Sequence, residues 1–77
     1  MKKLIELGGT QAKQMKNILY EEHMRGHKIA SKFSVWEEPT DDDWIYPRYY
    51  LTFKGNKVDY DFYGAIMYRL GMWMQVN

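Results

Sequence analysis

Two histidines and a glutamate in the first third of the chain have the spacing of a metal site. His23 and His27 stand four residues apart with Glu22 beside them, and on a continuous helix this places two imidazoles on one face, as in zinc sites. Gly26 lies between them where the helical pattern ends, and no third ligand accompanies them. We therefore expect surface histidines at a helix end and no bound metal.

Carboxylates cluster between residues 37 and 43, at Glu37, Glu38, Asp41, Asp42 and Asp43. Such a group attracts hard cations, but the spacing matches no EF-hand loop and no glycine directs the ligands. The carboxylates could instead contact Arg and Lys side chains of a partner, including one that normally holds phosphate. The alternative is a solvated turn.

Aromatic residues and one arginine alternate with apolar residues on either side of this acidic segment. Strand alternation places them on one side of a hairpin: Trp36, Trp44, Tyr46, Arg48 and Tyr50. Flat rings beside a guanidinium can stack on bases, and the same residue types dominate protein-binding hot spots. In the alternatives, a helix covers this face or the residues form ordinary cross-strand pairs. The neighbouring carboxylates would repel phosphate, which favours a protein partner.

A basic strip could bind phosphate or an acidic partner; its members are Lys13, Lys16, Arg25, Lys28 and Lys32. Residues 1–32 carry seven Lys or Arg and three Glu, whereas residues 33–77 carry four Lys or Arg and seven Asp or Glu. The two halves therefore differ in sign despite a net charge of +1. Solvated surface charges are the alternative interpretation.

Catalytic motifs are not evident. The chain has no Cys nucleophile, no glycine-rich phosphate loop and no His pair with a carboxylate to orient it. A small nuclease is the remaining catalytic alternative, because Asp, Glu, His and Lys are all present. We predict a protein that is not an enzyme and uses no cofactor.

Hydrophobic patterning predicts the elements that position these residues. The predicted elements are a strand over 2–7, a helix over about 10–25 capped by Thr10 and ended by Gly26, strands over 28–38 and 44–53, a short strand over 57–60, and a helix from Asp61 to Gly71. Helical spacing predicts one stripe on the first helix, formed by Ala12, Met15, Ile18, Leu19 and Glu22. Inward positions are predicted in the two long strands at Ile29, Phe33, Val35, Ile45, Tyr49, Leu51 and Phe53.

The segment 62–76 is almost free of charge, with Arg69 alone among aromatic and methionine residues. Phe62, Ile66 and Leu70 form a helical core stripe. Gly64 and Gly71 lie one heptad apart, which allows close approach of another helix. The segment is therefore either core or the seam of a homodimer, and residues 72–76 fit either a strand or a continued helix.

Composition indicates a folded chain. Hydrophobic residues at 45% and aromatic residues at 17% argue against disorder. The absence of Cys suits a reducing cytoplasm, and we expect no signal peptide and no membrane span. We predict one domain over 1–77, of α+β class. It would be a small sandwich with a mostly antiparallel sheet of three to five strands and two helices, in βαβββα or βαββαβ-like order.

The second of these orders is similar to that of RNA-recognition motifs, whose third strand carries a basic and aromatic octamer that stacks bases. In residues 46–53, Tyr50 falls on an exposed aromatic position of that octamer, and Leu51 and Phe53 fall on buried ones. Arg48 stands where a second stacking aromatic is expected, and the first strand lacks the aromatic of the partner motif. Without its first and last strands the order is similar to that of double-stranded RNA-binding domains, but the second helix lacks their lysine cluster.

These patterns together predict a small binding protein that docks on another protein through the aromatic face and the acidic segment. Size, lack of Cys and aromatic content are typical of phage or mobile-element accessory proteins that inhibit a host or defence complex. The alternative is a nucleic-acid-binding module that uses Trp36, Tyr46 and Tyr50 with Arg48 and the basic first helix.

Overall fold

Three strands and two helices make up the fold in a computed structural model, which describes residues 1–39 and 46–75, with side chains through Trp73. The elements are β1 (Lys2–Leu7), α1 (Gly9–Met24), a 3-10 helix (Lys28–Lys32), β2 (Phe33–Glu38), β3 (Arg48–Phe53) and α2 (Tyr60–Gln75). The predicted α+β class, with an antiparallel sheet and two helices, is confirmed.

The central strand of the sheet is β3, with β1 on one side and β2 on the other, both antiparallel to it. The β2–β3 ladder is regular and sets Trp36 opposite Tyr50. In the β1–β3 ladder the register shifts between Lys3 and Ile5. Successive side chains of a strand alternate, so odd-numbered residues of β2 and β3 form one face, the inner face, and even-numbered residues form the outer face.

The core lies between the inner face and the two helices. Leu51 and Phe53 belong to one buried cluster with Met15 and Ile18 of α1 and Ile66 of α2. Complete burial of a side chain of this kind contributes about 1.5–3 kcal/mol. The predicted buried stripe of α1 and the predicted inner residues within β2 and β3 are confirmed.

Gly26 ends α1 as predicted. Its φ of 94° is left-handed, a conformation that glycine adopts without steric cost. The Gly26 N–H donates to the His23 carbonyl at 3.0 Å and the His27 N–H donates to the Glu22 carbonyl at 3.1 Å. This Schellman arrangement satisfies two terminal carbonyls and brings His27 back beside Glu22.

The predicted strand over 57–60 is wrong, because these residues form a turn and the start of α2. Gly55, with φ of 145°, turns the chain after β3. The cap of α2 is Asp59 and not Asp61, since the Asp59 Oδ1 accepts the Phe62 N–H at 3.0 Å. A capping carboxylate two residues earlier in the chain thus starts the helix where a strand was expected.

The predicted end of the second helix at Gly71 is also wrong. Gly71 is not among the glycines with positive φ, and α2 continues to Gln75. Trp73 packs against the core beyond it. This packing offsets the roughly 1 kcal/mol that a glycine costs inside a helix, so residues through Gln75 are helical and not a strand.

Both long strands are shorter than predicted. Lys28–Lys32 forms the 3-10 helix, in which the Ser31 hydroxyl donates to the Lys28 carbonyl at 2.8 Å, so β2 starts only at Phe33. The third strand starts at Arg48. Trp44 and Ile45, which were predicted to open it, lie outside the described residues.

Candidate functional site

The outer face of the sheet carries the residues predicted to contact a partner. Buried residues of α1 and α2 join the inner face in the core, so the described helices pack on the side away from Trp36 and Tyr50. These two side chains face each other across the β2–β3 ladder and are partly exposed. The described helices leave their face uncovered.

Lys3 lies across both aromatic rings. Its Nζ is 4.4 Å from the ring centroid of Tyr50 and 4.8 Å from that of Trp36. The two ring centroids are 6.2 Å apart, and the rings are inclined by 34°. A cation over an aromatic ring contributes about 0.5–1 kcal/mol at an exposed site, so Lys3 adds a weak attraction to both rings.

Glu38 completes this group. Its Oε1 lies 3.7 Å from the Lys3 Nζ, and its Oε2 accepts the Tyr50 hydroxyl at 3.5 Å. Partly exposed ion pairs contribute at most about 1 kcal/mol, so the main consequence is that the carboxylate partly balances the lysine charge. Lys3, Trp36, Glu38 and Tyr50 are called the outer-face cluster below.

Arg48 adds a cation beside the cluster. It is exposed and pairs in register with Glu38. A hydrogen bond and charge interaction with Tyr50, followed by the charges of Glu6 and Glu38, raise the pKa of the Arg48 guanidinium above its ordinary value. Arg48 therefore carries a positive charge that is partly balanced by carboxylates around it.

The remaining predicted contact residues are more scattered. Tyr46 precedes β3 and is 91% exposed. Glu37 and Glu38 are the last residues of β2 and not part of a turn, and Glu37 faces Tyr49 on the inner side. Four further predicted contact residues lie outside the described part of the chain: Asp41, Asp42, Asp43 and Trp44.

A groove of about 180 Å³ opens on the outer face and is lined by Met1, Lys3, Trp36 and Thr52. Thr52 is only 1% exposed although it belongs to the outer face. Its hydroxyl is 2.8 Å from that of Ser34, so the polar atoms on the groove floor have partners. The walls offer an indole and the stem of a lysine, which suits a partly apolar side chain.

Lys3 was missed by the sequence reasoning. The alternation of strand 2–7 marks it as facing one side of the sheet, but the pairing of β1 with β3 brings it over Trp36 and Tyr50. A lysine three residues from the start of the chain carries no local signal for that position.

Two of the predicted basic residues lie on the opposite side of the sheet from Arg48. Lys13 and Lys16 are exposed on α1, which packs on the inner side of the sheet. Lys28 and Lys32 belong to the 3-10 helix. Arg25 lies 3.6 Å from the carboxylate of Glu22, so its charge is partly balanced.

The two histidines that stand four residues apart were expected at the surface, without a bound metal. His23 is exposed, and the His27 Nδ1 is 2.9 Å from the Glu22 Oε2. Within residues 1–39 and 46–75 there is no group of three or more His, Cys, Asp or Glu that could hold a metal ion. The carboxylate of Glu22 is instead part of a contact between the helices.

Arg69 joins the two helices through that carboxylate. Its Nη1 donates to the Glu22 Oε1 at 2.7 Å and its Nη2 donates to the Glu21 Oε1 at 3.1 Å. The Glu22 side chain is 9% exposed and that of Arg69 is 24% exposed. Two features of the sequence are typical of such a contact between helices. They are a glutamate in the apolar stripe of α1 and a lone charge in segment 62–76.

A second groove, of about 420 Å³, lies where α2 begins and includes Ile29, Phe53 and Val58 in its lining. Its charged lining residues are Lys32, Lys57, Asp59 and Asp61. Two cations and two carboxylates leave this groove without a net charge to attract an ion.

Comparison with protein-family models, with curated proteins and with solved structures finds no significant match for this chain. No helix within the described residues is long and apolar enough to cross a membrane.

Proposed function

We propose that this chain is a non-catalytic protein that binds another protein through the outer face of its sheet. The observation that carries the proposal is the Trp36–Tyr50 pair, held under Lys3 on the face away from both described helices. Trp, Tyr and Arg are the residue types that contribute most to protein–protein affinity. Arg48 lies beside this pair and supplies arginine, the third of these residue types.

The charge of the outer face favours a protein over a nucleic acid. Lys3 lies 3.7 Å from the carboxylate of Glu38, which partly balances its charge, and the carboxylates of Glu6 and Glu38 act on Arg48 in the same way. A polyphosphate is held by cations that are free to replace its counterions. The ammonium of Lys3 also occupies the ring faces on which bases would stack.

The acidic residues strengthen this preference by their place in the chain. Asp41, Asp42 and Asp43 follow Glu38, which ends β2 beside Arg48. Carboxylates near the rim of a binding face favour basic partner surfaces and raise association rates. We therefore propose a partner with a basic surface around an apolar or aromatic centre.

The biological setting is proposed from composition alone. A short, Cys-free, aromatic-rich chain suits a cytoplasmic accessory protein of a phage or mobile element that inhibits a host or defence complex. Nucleic-acid binding through Lys13, Lys16, Arg25, Lys28, Lys32 and Arg48 is the alternative. A homodimer through segment 62–76 is a separate proposal, supported by the exposure of Tyr68 and Met72 on α2.

Binding measurements with matched variants test the choice of partner. A partner captured from lysate is purified, and its affinity is measured for the unmodified chain, for Trp36→Ala and for the control Lys13→Ala/Lys16→Ala. We expect Trp36→Ala to lose at least tenfold in affinity, since hot-spot residues contribute about 2 kcal/mol or more, and the control to bind normally. Equal losses in both variants would contradict docking through the outer face.

Titration with DNA and RNA tests the alternative. Tryptophan fluorescence is followed at low and moderate salt with single- and double-stranded oligonucleotides. Saturable quenching that weakens with salt and disappears in the Lys13→Ala/Lys16→Ala variant would establish nucleic-acid binding through the basic first helix. We expect no saturable response.

A further inference from the structure

One edge of β2 is free in the described sheet. In the described sheet β2 has β3 on one side only. The Lys54 N–H donates to the Lys32 carbonyl at 2.8 Å, which makes these two residues a hydrogen-bonded pair of the antiparallel ladder. Hydrogen-bonded pairs alternate along such a ladder, so the even-numbered residues of β2 bond to β3. The N–H and C=O groups of Val35 and Glu37 therefore point to the free edge.

The two edges of the sheet differ in their ability to accept another strand. The register of β1 shifts between Lys3 and Ile5, and a bulge of this kind disrupts pairing at an edge. The register of β2 is unbroken from Phe33 to Glu38. Within residues 1–39 and 46–75, the regular backbone groups that face the free edge make β2 the edge that is open to strand addition.

Charge at the two ends of β2 makes the strand complementary to itself. Lys28 and Lys32 precede it, and Glu37 and Glu38 end it. A second copy laid antiparallel would set the basic end of each strand beside the acidic end of the other, twice by symmetry. A second copy supplies this match from its own sequence, so the charge pattern favours a second copy of this chain as the occupant of the edge.

We infer that two copies of this chain associate through β2, antiparallel, with Val35 opposite Val35 of the second copy. This register sets Lys32 opposite Glu38 of the second copy. The Phe33 N–H is already donated to Ala30 within the chain, so the new ladder uses the N–H groups of Val35 and Glu37. Two three-stranded sheets become one continuous sheet, and their outer faces join.

The first test removes one edge N–H. Sedimentation velocity over a range of concentrations is compared for the unmodified chain, Glu37→Pro and Glu37→Ala. Proline lacks the N–H and is tolerated on an edge strand, so Glu37→Pro should raise the dimer dissociation constant at least tenfold. Glu37→Ala keeps the N–H and should change it less than about threefold. Circular dichroism reports whether each variant is folded.

The second test changes the charges at the ends of β2, and it still tests the dimer if Glu37→Pro does not fold. Lys32→Glu sets like charges opposite each other at two places and should raise the dissociation constant about tenfold. Adding Glu38→Lys restores opposite charges and should recover most of the affinity. Recovery in the double variant is not expected from a non-specific effect of charge.

Several results would overturn the inference. They are a monomer at every concentration, a dimer that Glu37→Pro and the charge variants leave unchanged, or loss without recovery in the double variant. Dissociation by Tyr68→Glu while the β2 variants still dimerise would place the contact on α2 and not on β2.

Discussion

Replacing Glu22 with glutamine should loosen the contact between α1 and α2. The Glu22 carboxylate is 9% exposed and accepts the Arg69 Nη1 at 2.7 Å, and it lies 2.9 Å from the His27 Nδ1. Glutamine keeps nearly the same volume, so packing is preserved while the negative charge is lost. The guanidinium of Arg69 then retains only Glu21 as a charged partner among the contacts described.

The magnitude follows from the burial of the two side chains. Removing one partner of a fully buried ion pair costs about 3–5 kcal/mol. Arg69 is 24% exposed and keeps its 3.1 Å contact with Glu21, which lowers the cost to about 2 kcal/mol, close to that of one charged hydrogen bond. For a domain of this size such a loss lowers Tm by about 10 °C.

Thermal and urea unfolding followed by circular dichroism measure this change. The matched control is Glu21→Gln, because Glu21 is the adjacent residue, contacts the same guanidinium and has a 45% exposed side chain. The control should cost less than about 1 kcal/mol. A double-mutant cycle between Glu22 and Arg69 isolates the pairwise energy, which should exceed that of the cycle with Glu21.

Equal destabilisation by Glu22→Gln and Glu21→Gln would refute this reasoning, because burial would then have no influence on the energy of the contact. A Tm within about 2 °C of the unmodified protein for Glu22→Gln would show that the ion pair contributes no net stability.

Two further predictions concern backbone and pH. Gly55→Ala should destabilise the protein by more than about 1 kcal/mol in thermal unfolding, because φ is 145° and the new Cβ would lie 2.9 Å from the Phe53 ring. Gly64→Ala lies in open space on α2 and should stabilise the protein by up to about 1 kcal/mol. The opposite order of stabilities would contradict both predictions. Burial of Tyr49, then the charge of Glu37 and a hydrogen bond to it, raise the pKa of the phenol above its ordinary value of 10.0. The stability contributed by the neutral phenol is therefore present below about pH 10 and is lost as pH rises through the higher native pKa. Glu37→Gln should lower that pKa in ¹³C-tyrosine NMR titrations, and an unchanged value would contradict the role of Glu37.

Local patterns were sufficient for several elements. The strand Lys2–Leu7 was predicted with its observed bounds, because an apolar run is followed by two glycines. The buried stripe of α1 was predicted in full, including Glu22, since helical spacing alone assigns its members to one face. Gly26 was identified as the end of α1 because glycine adopts a left-handed φ without steric cost.

Competing local signals explain the wrong boundaries. Asp59 and Asp61 are both suitable caps, and only the observed hydrogen bond from Phe62 selects Asp59. Gly71 is a common helix-ending residue type, but Trp73 packs on the core and the helix continues. Such choices depend on contacts with distant residues, which a local window does not contain.

The sequence by itself determined the faces of the elements. Alternation placed Trp36, Arg48 and Tyr50 on one side of the sheet, and the helical period assigned the core side of α1. Both follow from the fixed geometry of strands and helices, so they hold whatever the neighbouring elements are.

Only the tertiary structure decided which faces meet. The pairing of β1 with β3 brings Lys3 over Trp36 and Tyr50, and the packing of the helices joins Arg69 to Glu22 across 47 positions of the chain. These contacts join segments far apart in sequence, so they form only when burial of the core brings those segments together. Among the elements that the structure describes, the same packing leaves the outer face and the edge of β2 open, and these are the surfaces through which we propose that this protein acts.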